Sequence, residues 1–278
     1  MSRRLAYMGP PGTYGEQAAM THDPHATLVP VASVPAVAAA VEAGLADQGI
    51  VPIENSLEGA VTFTVDLLIH ESRLRIRHEV AIAIHHCLLA KPGTRTTEIE
   101  VIYSHPQSLA QCRSFLAECF PDIQLIASMS NSLAVTQMLK AETVAAAIAG
   151  ERAATLYGAE ILGRNVEDSA NNSTRFVVLA HSDHPPTGAD KTSICFDFGD
   201  DAPGILHTAL GELARRGINL AKIESRPTRQ SLGRYIFLVD MEGHREDPVV
   251  KEALEAMRAQ TSMFKIFGSY PMSVSSAI

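Results

Sequence analysis

The chain has 278 residues, too many for one ordinary hydrophobic core, so two domains are the first expectation. With 46% hydrophobic and 19% charged residues it is globular rather than disordered. A net charge of -8, no Trp and 5% aromatic residues argue against nucleic acid or an anionic membrane as the main partner, but leave an anionic small molecule open.

The start, M-S-R-R-L-A-Y-M-G-P, lacks the apolar region of a signal peptide, and no run approaches the ~18 apolar residues of a membrane span, so a cytoplasmic protein is expected. From there the chain alternates. Residues 5–9 read as a strand, and G-P-P-G-T-Y-G-E-Q-A-A as a turn opening a helix. Two short apolar runs, 27–32 and 49–54, flank an Ala/Val-rich helix at 34–46. Residues 62–70 read as helix and 74–90 as one long extended stretch. Strand 101–104 precedes a helix at 108–119, with Leu109, Cys112, Phe115, Leu116 and Cys119 on one face. Strand 124–127, helix 132–140, strand 145–148, a helix near 151–157 and strand 176–180 complete an α/β pattern. The four cysteines show no paired metal spacing, and Cys112 and Cys119 are expected in the core of a reduced protein.

The stretch H-S-D-H-P-P-T-G-A-D at 181–190 reads as an interdomain linker. Beyond it, Ile194, Phe196 and Phe198 alternate as in a strand. Ile205, Leu206, Ala209, Leu210 and Leu213 follow helical spacing, and R-R-G ends that helix at Gly217. Strands at 219–226 and 234–241, a helical stripe of Val250, Ala253, Leu254 and Met257, and a last strand at 263–270 follow. The order βαββαβ over roughly 80 residues is the ferredoxin-like arrangement.

Four polar clusters fall at strand-to-loop junctions: G-T-Y after the first strand, P-I-E-N-S after the third, Y-S-H-P-Q-S-L-A-Q near Ser104, and N-N-S-T-R-F before the strand at 176–180. Strand ends of open α/β sheets are where crevices form. Neutral donors with one Arg suit a dicarboxylate, because Arg forks onto a carboxylate and helix N-termini add N–H groups. Each cluster also has a plain structural reading: Asn55 and Ser56 as helix caps, Ser104 and His105 as a turn before proline. His85 and His86 lack the spaced third ligand of a metal site, and G-P-P-G is neither a Walker A loop nor G-x-G-x-x-G. No Ser–His–Asp triad or pair of catalytic carboxylates is evident.

Taken in order, G-P-P-G-T-Y, G-I-V-P-I-E-N-S, Y-S-H-P-Q, N-N-S-T-R-F-V-V-L and G-I-N-L-A-K-I-E-S-R-P resemble prephenate dehydratase over nearly the whole chain. The resemblance implies a two-lobed catalytic domain like a type II periplasmic binding protein (1–180), a linker (181–190) and an ACT regulatory domain (191–278). With no helical chorismate mutase segment before Leu5, it implies the single-function form. It implies conversion of prephenate to phenylpyruvate without cofactor or metal, in a homodimer or dimer of dimers. By resemblance Thr174, in T-R-F, donates a hydrogen bond to the departing hydroxyl. Thr13, Glu54, Asn55, Ser56, Ser104 and Gln111 are expected to bind substrate, Arg175 to pair a carboxylate and Phe176 to pack the cleft floor. Where many relatives carry Glu-Ser-Thr-Ser, this chain has Ser128-Met129-Ser130-Asn131-Ser132, which removes that acidic residue. Glu224, Ser225, Arg226 and Pro227 match the phenylalanine-binding signature. Gly204, Ile205 and Leu206 stand for the companion G-A-L, with a larger side chain at Ile205. Arogenate dehydratase and a non-catalytic amino-acid sensor are the alternative readings.

Overall fold

The computed structural model describes residues 2–200, 202–228 and 233–273. In the first lobe the strands lie in the order Thr27–Val31, Arg4–Met8, Gln48–Asn55, Ser173–Ala180, Arg75–Ala83, with Gly59–Ala60 also paired to Gln48–Asn55. The first three are parallel, and Ser173–Ala180 is inserted antiparallel to both of its neighbours. The second lobe is the sheet Glu160–Arg164, Cys87–Ala90, Ala145–Ala149, Val101–Ser104, Gln124–Ala127. Its strand Ala145–Ala149 is buried at every position, as a strand covered on both faces must be.

The chain crosses between the lobes twice. It leaves the first lobe after Arg75–Ala83 and returns by way of 165–172. The two crossing segments lie side by side: Ile84 N donates to Asn172 O (2.8 Å) and Val166 N to His86 O (3.0 Å). Two adjacent single-chain connections are the geometry of a hinge.

The third sheet, Leu220–Pro227, Tyr235–Glu242, Asp190–Asp197, Met263–Pro271, is antiparallel throughout. Helices Ile205–Ala214 and Pro248–Arg258 cover one face, packing on Ile194, Phe196, Val239 and Met241. This is the ferredoxin-like order expected. Its other face lies on the first lobe, where Cys195, Ile236, Phe267 and Tyr270 share a core with Ile76, Val177 and Leu179. The approach is close enough that a Cβ on Gly268 would sit 2.2 Å from the Ile76 carbonyl oxygen. The segment 181–189 is tied down as well: His184 N donates to Ser269 O (3.2 Å), and Arg245 pairs with Asp183.

Three sequence expectations change. The stretch 74–90 is two strands in different lobes, Arg75–Ala83 and Cys87–Ala90. Only His85 and His86 interrupt the apolar run at the crossing, with no Gly or Pro to mark it. The helix at 108–119 is two, Pro106–Gln111 and Arg113–Cys119, broken at Cys112 (φ -114°, ψ 22°). Cys112 is buried as expected, but Cys119, the last residue of the second helix, is exposed. Strand Glu160–Arg164 had no sequence counterpart.

Candidate active site

A cavity of about 450 Å³ lies between the lobes. Thr13, Asn55, Thr174 and Phe176 line it from the first lobe, and His105, Ser108, Gln111, Ser130, Asn131 and Gly150 from the second. Strand alternation explains the selection. Thr174 and Asn55 are cross-strand partners, and they and Phe176 face the cleft.

Asn55 is fixed from both ends. Its Oδ1 accepts from the backbone N–H groups of Leu57 (3.0 Å) and Glu58 (3.2 Å), so its amide nitrogen must face the other way. That nitrogen donates to Asn172 Oδ1 (2.8 Å), Ser173 O (3.2 Å) and Thr174 Oγ1 (3.0 Å). The Thr174 oxygen therefore accepts from Asn55, and its own hydrogen is left for a ligand.

The network continues across the cleft. Asn172 Nδ2 donates to Gln111 Oε1 (3.1 Å), and Gln111 Nε2 donates to Glu58 Oε1 (3.2 Å). With Gln111 Oε1 an acceptor, His86 must carry its hydrogen on Nε2, 2.9 Å away. Burial lowers the His86 pKa, against the opposing pull of Gln111 and Glu167, and so favours the neutral ring. His85 faces Glu167 instead, with Nδ1 2.7 Å from its carboxylate.

Helix Tyr14–His22, capped by Thr13, and helix Asn131–Lys140, capped by Ser130, both begin at the cleft. Among the described residues the lining holds no Lys, Arg, Asp or Glu. Any anion bound there meets helix N-termini and neutral donors rather than a cation.

Five of the expected substrate residues line the cleft: Thr13, Asn55, Gln111, Thr174 and Phe176. Four do not. Arg175 and Glu54 are partners one register step from Thr174 and Asn55, and alternation turns both to the opposite face, toward the third sheet. There Arg175 pairs with Glu54 (3.0 Å), Glu79 (3.2 Å) and Asp240 of the ferredoxin-like unit (3.0 Å). Lys222 of that unit reaches Glu54 (2.9 Å). Burial alone would raise the Glu54 carboxyl, but Lys222 and Arg175 hold it below its ordinary value. Ser104 is fully buried and donates to Ile148 O (2.7 Å), and Ser56 braces the crossing segment by donating to Asn171 O (2.9 Å). Asn172 and His86 were not picked out as site residues. Asn172 stands inside N-N-S-T-R-F, but its partner Gln111 is 61 positions away in sequence.

In the ferredoxin-like unit, Asp197 and Arg226 both align with Ile236 on either side of strand Tyr235–Glu242. The strand end bearing Glu224, Ser225, Arg226 and Pro227 therefore lies at the same end of the sheet as Gly204, which opens helix Ile205–Ala214 at φ 84°.

Fold and cleft together define a two-lobed α/β unit, like a type II periplasmic binding protein, carrying a ferredoxin-like module. Comparison with known proteins narrows this. The prephenate dehydratase family model matches residues 5–184, and the ACT domain model residues 193–259. The bifunctional chorismate mutase/prephenate dehydratase of Stutzerimonas stutzeri is 43% identical over 272 residues, covering 98% of this chain and 74% of that protein. The prephenate dehydratase of Arthrobacter aurescens in complex with L-Phe superposes at TM-score 0.89, with 35% identity over 97% of this chain and 90% of that one. GqqA, described as a novel type of quorum quenching acylase, superposes at 0.87, with 33% identity over 98% and 99%. The chain belongs to the prephenate dehydratase family.

Proposed function

We infer that this protein is a prephenate dehydratase, converting prephenate to phenylpyruvate, carbon dioxide and water under feedback control by phenylalanine. The observation that carries the reading is Thr174: its oxygen accepts from Asn55, leaving its hydrogen for a ligand, on the wall of a cleft that no carboxylate lines among the described residues. Departure of the ring carboxylate as carbon dioxide leaves its electron pair to aromatise the ring and expel the hydroxyl, which takes up one proton to become water. Charge grows on that oxygen only as it leaves, so a donor aimed at it stabilises the transition state selectively. The Asn55, Asn172 and Gln111 amides have no acidic hydrogen, so they orient Thr174 rather than relay a proton. With Arg175 on the opposite face, the substrate carboxylates fall to the helix starts at Thr13 and Ser130.

Among the described residues no carboxylate lines the cleft, Glu58 reaching only the lining residue Gln111, and this favours prephenate over arogenate, whose ammonium would have no direct counter-ion. Incubating the purified protein with each compound tests this: phenylpyruvate should form from prephenate, with at most slow phenylalanine formation from arogenate. No aromatic product from prephenate would refute the dehydratase reading.

The regulatory part of the proposal places phenylalanine near Gly204, Ile205 and Leu206 and the strand end Glu224, Ser225, Arg226 and Pro227. Leu220–Pro227 is an edge strand, open to pairing in a homodimer or dimer of dimers. No helix among the described residues is long and apolar enough to cross a membrane, and we place the enzyme in the cytoplasm. Ser225→Ala or Arg226→Ala should weaken phenylalanine inhibition ~5-fold or more while uninhibited activity stays near normal. A phenylalanine titration of activity and of binding heat checks this, and no binding at millimolar concentration would leave the module as an assembly element.

A further inference from the structure

Three polar residues of the cleft are buried: His86 is 1% exposed, Ser108 4% and Asn55 8%. Two of its apolar residues are the reverse. Phe63, on the short helix Thr62–Asp66 of the first lobe, is 75% exposed, and Met129, in the loop before helix Asn131–Lys140 of the second lobe, is 87% exposed. No other large hydrophobic side chain among the described residues exceeds 64%. Both line the same cavity, and they do so from opposite lobes.

Neither side chain does much for the fold in this state, because neither is removed from water. An aromatic ring and a thioether are suited to the face of a flat, apolar ring, the thioether through its adaptable, polarisable sulfur. The lobes are joined by the paired crossings at 84–86 and 165–172 and, beside the cleft, by Arg152 to Glu16 (2.9 Å) and Tyr157 to Pro11 O (3.0 Å). Rotation about those crossings would change the width of the mouth between Phe63 and Met129.

We propose that Phe63 and Met129 are opposed, substrate-specifying jaws: when the lobes close, they cover the six-membered ring of the bound dianion and shut water out of the Thr174 pocket. Neither residue was among the expected site residues; Met129 stands only in the segment 128–132 that departs from the relatives' Glu-Ser-Thr-Ser. Closure removes their apolar surface from water only when a ring lies between them, so their contribution appears as substrate affinity and selectivity. Exclusion of water also strengthens the hydrogen bond from Thr174 to the leaving oxygen. The proposal rests on the dehydratase reading of the cleft.

The test uses the full chain with prephenate and the variants Phe63→Ala, Phe63→Leu, Met129→Ala and Met129→Leu. Each Ala variant should lower kcat/KM on the order of tenfold, mostly through KM, and each Leu variant should recover most of it. Thermal unfolding of the free proteins should not move, because the side chains are exposed. A second readout does not depend on turnover. Saturating phenylpyruvate should lower the ratio of Met129 sulfoxide to Met20 sulfoxide formed by dilute hydrogen peroxide, followed by peptide mass spectrometry; the ratio is read because the keto acid itself consumes peroxide. Met20, 39% exposed on helix Tyr14–His22, reports the peroxide that remains. Normal kinetics in both Ala variants, with a wild type active on prephenate, would overturn the jaws and leave the dehydratase reading intact. An unchanged Met129 to Met20 ratio with and without phenylpyruvate would also overturn them. A wild type inert on prephenate would overturn the dehydratase reading and the jaws with it.

Discussion

Thr174→Ala should lose on the order of a hundredfold or more in kcat, the usual effect of removing one preorganised donor from a developing negative charge. Binding should change little, because the hydrogen bond strengthens only as the hydroxyl leaves. Folding should change little as well: without the Thr174 oxygen, Asn55 Nδ2 keeps Asn172 Oδ1 and Ser173 O as acceptors. Thr174→Val keeps the branched shape on the strand and removes only the hydroxyl, both as donor and as acceptor for Asn55, so it should be as inactive as Thr174→Ala. Thr174→Ser keeps an oxygen for Asn55 to hold and should retain much of the activity. Steady-state kinetics on prephenate decide the matter. Near-normal kcat in Thr174→Ala would move the donor role to another group, and a large rise in KM at constant kcat would make Thr174 a substrate anchor.

Legibility in the sequence followed range. Local periodicity carried the α/β alternation and the βαββαβ order, because each element announces itself within about ten residues. It failed at 84–86, where only His85 and His86 interrupt the apolar run and tertiary pairing ends one strand and starts another. The cleft residues were readable as strand-end motifs and through a family resemblance. What held them was not. Asn55 and Asn172 are 117 positions apart, and nothing local in either motif specifies the other. Arg175 is the instructive case. Its neighbours Thr174 and Phe176 were both expected in the cleft, and period-two alternation then requires Arg175 to face away. Its chemistry suggested a substrate carboxylate. The carboxylates it meets belong to the protein, and one of them is on a sheet that begins after it in the chain.

That placement leads to a different expectation for Arg175→Met. The guanidinium is 16% exposed and sits among Glu54, Glu79 and Asp240, whose side chains are 31%, 2% and 12% exposed. Desolvation would lower its pKa, but Asp240, Glu79 and Glu54 raise it and keep the charge fixed. Removing one member of a buried ion cluster destabilises by about 3–5 kcal/mol when the remaining charges are stranded. Here each carboxylate keeps a second partner: Glu54 has Lys222, Glu79 has Lys191 and Asp240 has Ser193. The expected loss is therefore at the lower end, about 3 kcal/mol, read as a lower urea midpoint. Acid should weaken the same network in the wild type. Glu54 and Glu79 are held below their ordinary values, so their contribution is complete above about pH 5 and is lost as pH falls through the lowered values.

A regulatory consequence accompanies the loss of stability. Arg175 to Asp240 and Glu54 to Lys222 join the ferredoxin-like sheet to the two strands that carry Thr174 and Asn55. Lys222 also pairs with Glu224, at 3.3 Å, on the strand end proposed to bind phenylalanine. An effector that pulls on Glu224 therefore competes for the cation that steadies Glu54, one residue from Asn55. Arg175→Met should leave phenylalanine binding near normal by calorimetry while weakening its inhibition of turnover several-fold, because the coupling contact is cut and the site is not. An Arg175 that held substrate would behave otherwise, with a raised KM, unchanged stability and intact inhibition. That outcome would return Arg175 to the cleft and remove it from the route between the two sites.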